Sequence, residues 1–261
     1  MPSYRSPNIK VVLVVAVIGA IFAWQRTAWQ RTRQTAESTT VPRPHPVTAA
    51  TPAAHGAEFD FYLLALTVHA AFCADGHGQK GECRARSSWP LVLHGLWPEN
   101  RESRTSPRDC PAPPLDLQAG LAAELEPYMP GMVDGLQEHE WREHGGCTGL
   151  DDDEYFSRAL ELTRGVESAL GARLTTLAGN ETDPQTLRAA AELYQPGIGA
   201  TFILHCRSLR DAPRGARDRP YLVEIRQCVR REAGGAPGAP FACDSVGRRD
   251  QGCGASFYIA P

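Results

Sequence analysis

The chain has 261 residues, 42% of them hydrophobic, enough to bury a full core in one large domain or two small ones. Its formal charge of −3 is unevenly spread: residues 1–58 carry six basic and two acidic side chains, leaving 21 basic against 28 acidic groups, a net −7, over the remainder. That balance argues against a general polyanion-binding surface, whose affinity comes from basic groups neutralising phosphates, and leaves room for a small local site.

Residues Val11 to Trp24 form an apolar run of 14 preceded by Arg5 and Lys10, the charged-then-apolar order of an export signal. A membrane span needs about 20 apolar residues. Gln25 and Arg26 end this run abruptly, so a cleavable signal at 1–30 is the first reading and an uncleaved membrane anchor the second. Residues 31–58 are rich in Thr, Ala, Pro and Ser without hydrophobic periodicity, as expected of a linker or tether. The folded domain is expected over 59–261.

Phe59 to Val68 has the aromatic and aliphatic density of a buried strand. A second strand is predicted over Trp89 to His94, with Gly95 and Pro98 placing His94 at its end, where a rigid sheet delivers a side chain to a cleft. Leu115, Leu117, Leu121 and Leu125 predict a helix over Asp116 to Glu126, closed by Pro127 and Pro130. Helical pattern returns over Gln137 to His144, over Asp153 to Leu170 behind acidic residues suited to a helix start, and over Pro184 to Leu193. Thr201 to Cys206 and Tyr221 to Cys228 read as strands, the latter alternating Leu222, Glu224 and Arg226 against Tyr221, Val223 and Ile225; Ala255 to Ile259 is a short last strand. Strands at both ends with helices between them predict an α+β fold, a central and mostly antiparallel sheet flanked by helices.

Eight cysteines, an even set behind an export signal, read as four disulfides formed in an oxidising compartment, periplasmic or secreted. No Cys-x-x-Cys pair is present, which weakens the zinc alternative, and spacing alone leaves the connectivity open.

Two stretches put three of the eight histidines beside carboxylates, tryptophans and a cysteine: His94-Gly-Leu-Trp-Pro-Glu99 and Glu138-His-Glu-Trp-Arg-Glu-His-Gly-Gly-Cys147. Imidazole accepts and donates protons near neutrality, so two placed histidines can run a displacement without a cofactor. On a helix, positions four apart share a face, which sets Glu140 with His144 and His139 with Glu143, while Arg142 lies about 60° from His139. A zinc-protease reading fails on register, because His139 and His144 are five apart rather than in the i, i+4 relation of His-Glu-x-x-His. The bland reading is a surface helix with solvated charges and Trp141 in the core, and a lone His94 at a strand end is more often structural than catalytic. Two separate histidine motifs in one disulfide-rich domain favour acid–base catalysis.

Phe61 to Cys73, then Trp89-Pro-Leu-Val-Leu-His-Gly-Leu-Trp-Pro-Glu99, then His139-Glu-Trp-Arg-Glu-His-Gly-Gly-Cys147, resemble the ribonuclease T2 family of secreted and periplasmic endoribonucleases. The later block Leu222 to Cys228 followed by Cys243 is similar to its bacterial members. The resemblance implies cleavage of single-stranded RNA through a 2′,3′-cyclic phosphate, with no metal or cofactor, by a monomer that leaves DNA intact. It implies that His94 and His144 exchange protons with the 2′-oxygen and the leaving 5′-oxygen. His139 would help hold the phosphate, Glu140 would support the transition state, and Trp97 and Trp141 would shape or line the cleft. It also implies the disulfide pairs Cys73 with Cys83, Cys110 with Cys147, Cys206 with Cys253, and Cys228 with Cys243.

The second motif departs from the family's pattern in two places. Glu143 stands where lysine is usual, and Gly146 where threonine is usual. A carboxylate there reverses the charge expected to stabilise the phosphorane. Arg142 is the adjacent candidate replacement as a phosphate contact, although it emerges about 100° round the helix from position 143. A second reading has Glu143 holding His139 in its charged form. The alternative function is a catalytically weakened descendant that binds RNA or a protein.

Overall fold

The computed structural model describes residues 56–261 except 86–87, 103–104 and 213. The signal or anchor at 1–30 and all but the last three residues of the linker lie outside the described residues. In chain order the elements are β1 (Phe61–Val68), α1 (His69–Phe72), α2 (Gly81–Ala85), β2 (Leu91–Glu99), α3 (Ala119–Leu125), α4 (Leu136–Glu143), α5 (Asp152–Leu177), β3 (Glu181–Thr182), α6 (Pro184–Tyr194), β4 (Phe202–Arg207), β5 (Tyr221–Arg231), β6 (Pro237–Pro240) and β7 (Phe257–Tyr258). The α+β class holds: β1, β2, β4, β5 and β6 pair antiparallel, and the parallel contact of β5 with β7 at Tyr221 and Tyr258 is the exception among named strands. Among the described residues, no helix is long and apolar enough to cross a membrane.

β1 is apolar on both faces because both are covered. Tyr62, Leu64, Leu66 and Val68 join the main core, while Phe61 and Leu63 join a smaller cluster with Ile203, Cys228, Cys243 and Val246. The register of β1 with β5 pairs Leu66 with Ile225 and Tyr62 with Val229, while Thr67 meets Glu224 and Ala65 meets Arg226. Side chains alternate between faces with period two, so Glu224 and Arg226 stand on the face opposite the main core.

α5 supplies the other half of the main core through Tyr155, Phe156, Ala159, Leu160, Val166, Leu170 and Leu174. Its N-terminus is capped by Asp151, whose side chain accepts from the Glu154 N–H at 2.7 Å, with three acidic residues in the first turn. The helix runs seven residues beyond the predicted Leu170, because Leu174 continues the buried stripe.

β2 is the edge strand of the sheet, and its outward backbone groups are claimed by side chains and by a loop. The Leu91 N–H donates to Glu167 at 2.9 Å, the Leu93 N–H donates to the Tyr128 carbonyl at 2.6 Å, and the Tyr155 hydroxyl both accepts from and donates to Leu96. This position explains why β2 passes through Gly95 and Pro98 to Glu99 rather than stopping at His94 as predicted: proline is tolerated on an edge, where the missing N–H breaks no central ladder. His94 is not at a strand end. Ala65 pairs with Gly95 and Leu66 with Leu93, leaving His94 as the unpaired residue of a β-bulge.

All four disulfides have the pairing implied by the resemblance. Cys110–Cys147 ties the loop after β2 to the chain just beyond α4. Removing the Tyr155 hydroxyl leaves the buried Leu96 backbone groups unpaired. Tyr155→Phe is therefore expected to lower unfolding stability by about 1–3 kcal/mol, read from the denaturant midpoint at unchanged slope.

Candidate active site

The bulge in β2 turns His94 out of the ladder, and α4 lies across β2 so that its residues reach the same place. His94 and His139 line a cleft of about 550 Å³, together with His205, Arg207, Glu224 and Arg226. Glu140, 1% exposed, is buried between His94 and His144 rather than on the wall of this cleft. One of its carboxylate oxygens lies 3.6 Å from His94 Nε2; the other lies 4.0 Å from His144 Nε2 and accepts from the Trp97 indole N–H at 2.8 Å. The expected helical pairing of Glu140 with His144 is present although α4 ends at Glu143, because His144 still donates its backbone N–H to the Glu140 carbonyl at 2.9 Å.

Gly95 makes this convergence geometrically feasible. A Cβ there would lie 1.9 Å from the Glu140 carboxylate and 2.6 Å from the Trp97 indole nitrogen, so only a glycine lets α4 deliver a carboxylate against the strand.

The two imidazoles sit in opposite environments. Burial would lower the pKa of His94, but the hydrogen bond with Glu224 and the negative charges of Glu140 and Glu224 outweigh it, and the net direction is upward from 6.5. His94 Nδ1 stands 3.0 Å from Glu224, and an ionised carboxylate only accepts, so Nδ1 carries a proton and Nε2 is presented to Glu140. His144, 5% exposed, is pushed down to about 3, first by burial and then by the positive charge of Arg108. Its Nδ1 meets no hydrogen-bond partner among the described residues, so nothing there accepts the second proton of an imidazolium.

Glu224 is the functional residue that motif reasoning missed. Burial would raise its pKa, but the neighbouring His205, the hydrogen bond with His94 and the adjacent Arg226 guanidinium overcome this and hold it well below the usual carboxylate range. Arg226 donates to the carboxylate and lies over the Trp97 ring at 5.1 Å, and His205 Nδ1 is 3.9 Å away. The available signal was the alternation on β5, which set Glu224 and Arg226 together on the face opposite Tyr221, Val223 and Ile225.

Other predicted site residues are placed differently. Trp141, expected to shape or line the cleft, is 3% exposed and does not line it: its indole N–H donates to the Pro113 carbonyl at 2.8 Å and its ring meets Tyr155 in the core. A large ring on the face of α4 that packs inward has no route to the cleft. Arg142 approaches His139, with Nη2 at 3.5 Å from Nδ1. The ion-pair partner found for Glu143 is Arg108, at 3.4 Å, rather than His139. Among the described residues, the one grouping with metal-ligand spacing is His69 with Cys73 and Cys83, and its two sulfurs are joined in a disulfide.

Glu224→Gln, which removes the charge that favours imidazolium, is expected to lower the pKa of His94, measured by NMR titration of the imidazole resonances. Gly95→Ala is expected to lower stability by about 1–3 kcal/mol through overpacking and to shift the Trp97 indole N–H resonance as its bond to Glu140 is displaced.

The family model of the Ribonuclease T2 family matches residues 59–235. Ribonuclease I of Escherichia coli (strain K12) is 28% identical over 220 residues, covering 69% of this chain and 78% of that protein. Ribonuclease 1 of Arabidopsis thaliana is 29% identical over 194 residues, covering 68% and 79%. Among solved structures, RNase NT in complex with 5′-AMP aligns with a TM-score of 0.56 at 18% identity, covering 78% of this chain and 99% of that one. A variant of RNase MC1 in complex with 5′-UMP aligns at 0.55 and 22%, covering 77% and 98%. These structural likenesses concern the fold.

Proposed function

The chain belongs to the ribonuclease T2 family, and from that premise we propose that it is a metal-independent endoribonuclease that cleaves single-stranded RNA by transphosphorylation. The observation that carries this reading is the pair of imidazoles on either side of the Glu140 carboxylate, one favoured as imidazolium and the other as neutral imidazole. Acid–base catalysis of a displacement needs one group of each kind at the start of the reaction.

Neutral His144 takes the proton from the ribose 2′-hydroxyl as the 2′-oxygen attacks phosphorus. Imidazolium His94 gives its proton to the 5′-oxygen as the phosphorus–O5′ bond breaks. The products are a 2′,3′-cyclic phosphate and a free 5′-hydroxyl, and the enzyme is left with its two protonation states exchanged. Water entering in place of the 5′-hydroxyl reverses the roles, hydrolyses the cyclic ester and resets both groups. His139, on the wall of the cleft, contacts the phosphate, and Glu140 steadies the positive charge as it passes between the imidazoles. Arg226, on the cleft wall and packed over the Trp97 ring, offers its guanidinium plane to a stacking base.

We assign the activity to residues 59–261, with 31–58 as the linker and 1–30 as the export signal or anchor. The four disulfides support folding in an oxidising compartment, periplasmic or extracellular.

Oxidised protein incubated with single-stranded RNA in the presence of chelator is expected to yield cyclic-phosphate ends, while matched DNA stays intact because it lacks the 2′-nucleophile. His144→Ala is expected to abolish the product. Intact RNA with correctly paired cysteines would favour the binding-only descendant. Turnover needs His94 protonated and His144 neutral. The rate should therefore fall as pH rises through the elevated pKa of His94, and on the acid side only as pH approaches about 3, where His144 takes up a proton.

A further inference from the structure

The two departures in the second motif, Glu143 and Gly146, face the same short segment of chain. The Glu143 carboxylate is 3.4 Å from Arg108 Nη1, and its carbonyl accepts from the Asp109 N–H at 2.9 Å. A Cβ on Gly146 would come within 2.5 Å of the Ala112 methyl and 3.0 Å of the Cys110 carbonyl oxygen, so the side chain expected there would push this segment away. Cys110 is itself bonded to Cys147. Segment 108–112 is thus held against the C-terminal end of α4 by an ion pair, a backbone hydrogen bond, a disulfide and a glycine that admits it.

Asp109 is the one non-glycine described residue with positive φ, at 51°. L-residues rarely adopt that conformation, and it persists where the surroundings over-determine it. Arg108, the residue before Asp109, stands beside Glu143, which precedes His144. Arg142 is directed toward His139, Arg226 toward Glu224 and the Trp97 ring, and Arg207, on the cleft wall with Lys80, toward Asp75. The Arg108 side chain is 54% exposed against 21% for Glu143, and its ion pair engages Nη1 of a fork that carries five N–H donors.

We propose that Arg108, positioned by Glu143, is the cation that binds the non-bridging phosphate oxygens and stabilises the phosphorane beside His144. The inference rests on the ribonuclease reading above. Glu143 is then a positioning residue, and the charge the family usually places on α4 has moved to the preceding loop, with Gly146 giving that loop room. Burial and then the charge of Arg108 keep His144 neutral, the form in which it accepts the 2′-proton.

The test measures kcat, KM and thermal midpoint on an RNA oligonucleotide for the full chain and for Arg108→Gln, Arg108→Gln with Glu143→Lys, Arg108→Lys and His144→Ala. Arg108→Gln should lose about 10- to 100-fold in kcat at an unchanged midpoint. Adding Glu143→Lys to it restores a cation without restoring the ion pair and should recover most of the loss, which a purely structural salt bridge would not. Arg108→Lys should stay within about tenfold of the parent and serves if the glutamine variant does not fold. An Arg108→Gln enzyme with parental kcat, a double variant no faster than Arg108→Gln, or a folded Arg108→Lys as impaired as the glutamine variant would overturn the proposal. A parent chain that leaves RNA intact would overturn the ribonuclease reading, and this inference with it, while cleavage that survives His144→Ala would overturn the role given to His144 and the cation placed beside it.

Discussion

Glu140 holds its carboxyl group at 1% exposure, and burial pushes its pKa up, opposed in part by His94, the Trp97 indole N–H and His139. Trp97 on β2 donates to it, His94 from the β-bulge approaches one oxygen, and His144 from the end of α4 approaches the other. That convergence needs Gly95 without a side chain, β2 held at the sheet edge by Tyr155, and the turn after α4 anchored by Cys110–Cys147. The packing of α4, β2 and α5 is therefore also the geometry of the site.

Around this carboxylate, one sheet face and one helix end create two electrostatic environments a few ångströms apart. On the sheet side, Glu224 is kept ionised by the neighbouring His205, the hydrogen bond with His94 and the Arg226 guanidinium, and it orients His94 through Nδ1. On the helix side, His144 is enclosed, has an unpartnered Nδ1 and feels Arg108. Two copies of one side chain are thereby driven toward opposite protonation states, the division of labour that acid–base chemistry requires. The same asymmetry bears on folding. Native His144 refuses a proton that the unfolded chain accepts, so its contribution to stability is lost as pH falls below 6.5 toward 3. His94 has the opposite sign: its contribution is full below the unfolded pKa and is lost as pH rises through its elevated folded value.

Much of the fold was legible because the long elements carry strong local signals. Continuous apolar residues marked β1, capping acids and a buried stripe marked α5, and alternation marked β5. The motifs brought His94, Glu140 and His144 together correctly, since positions 140 and 144 are related by one helical turn. The bulge at His94 was not legible, because it arises from the register of β1 against β2 and has no local signature beyond Gly95. Trp141 was misplaced for a related reason: helical spacing says which residues share a face, and tertiary packing decides which face turns inward. Glu224 and Arg108 were missed because each acts across the fold, Glu224 from a strand that β1 separates from β2, and Arg108 from an irregular loop whose backbone at Asp109 no periodicity predicts.

In the free protein the two histidines flanking Glu140 are expected to rest in opposite ionisation states. Nitrogen-15 imidazole shifts, recorded at mildly acidic pH on protein with selectively labelled histidine and assigned through His94→Ala and His144→Ala, test this directly. His94 should show the doubly protonated pattern and His144 the neutral, singly protonated pattern. Finding both charged, both neutral or the assignments exchanged would contradict this pairing of states.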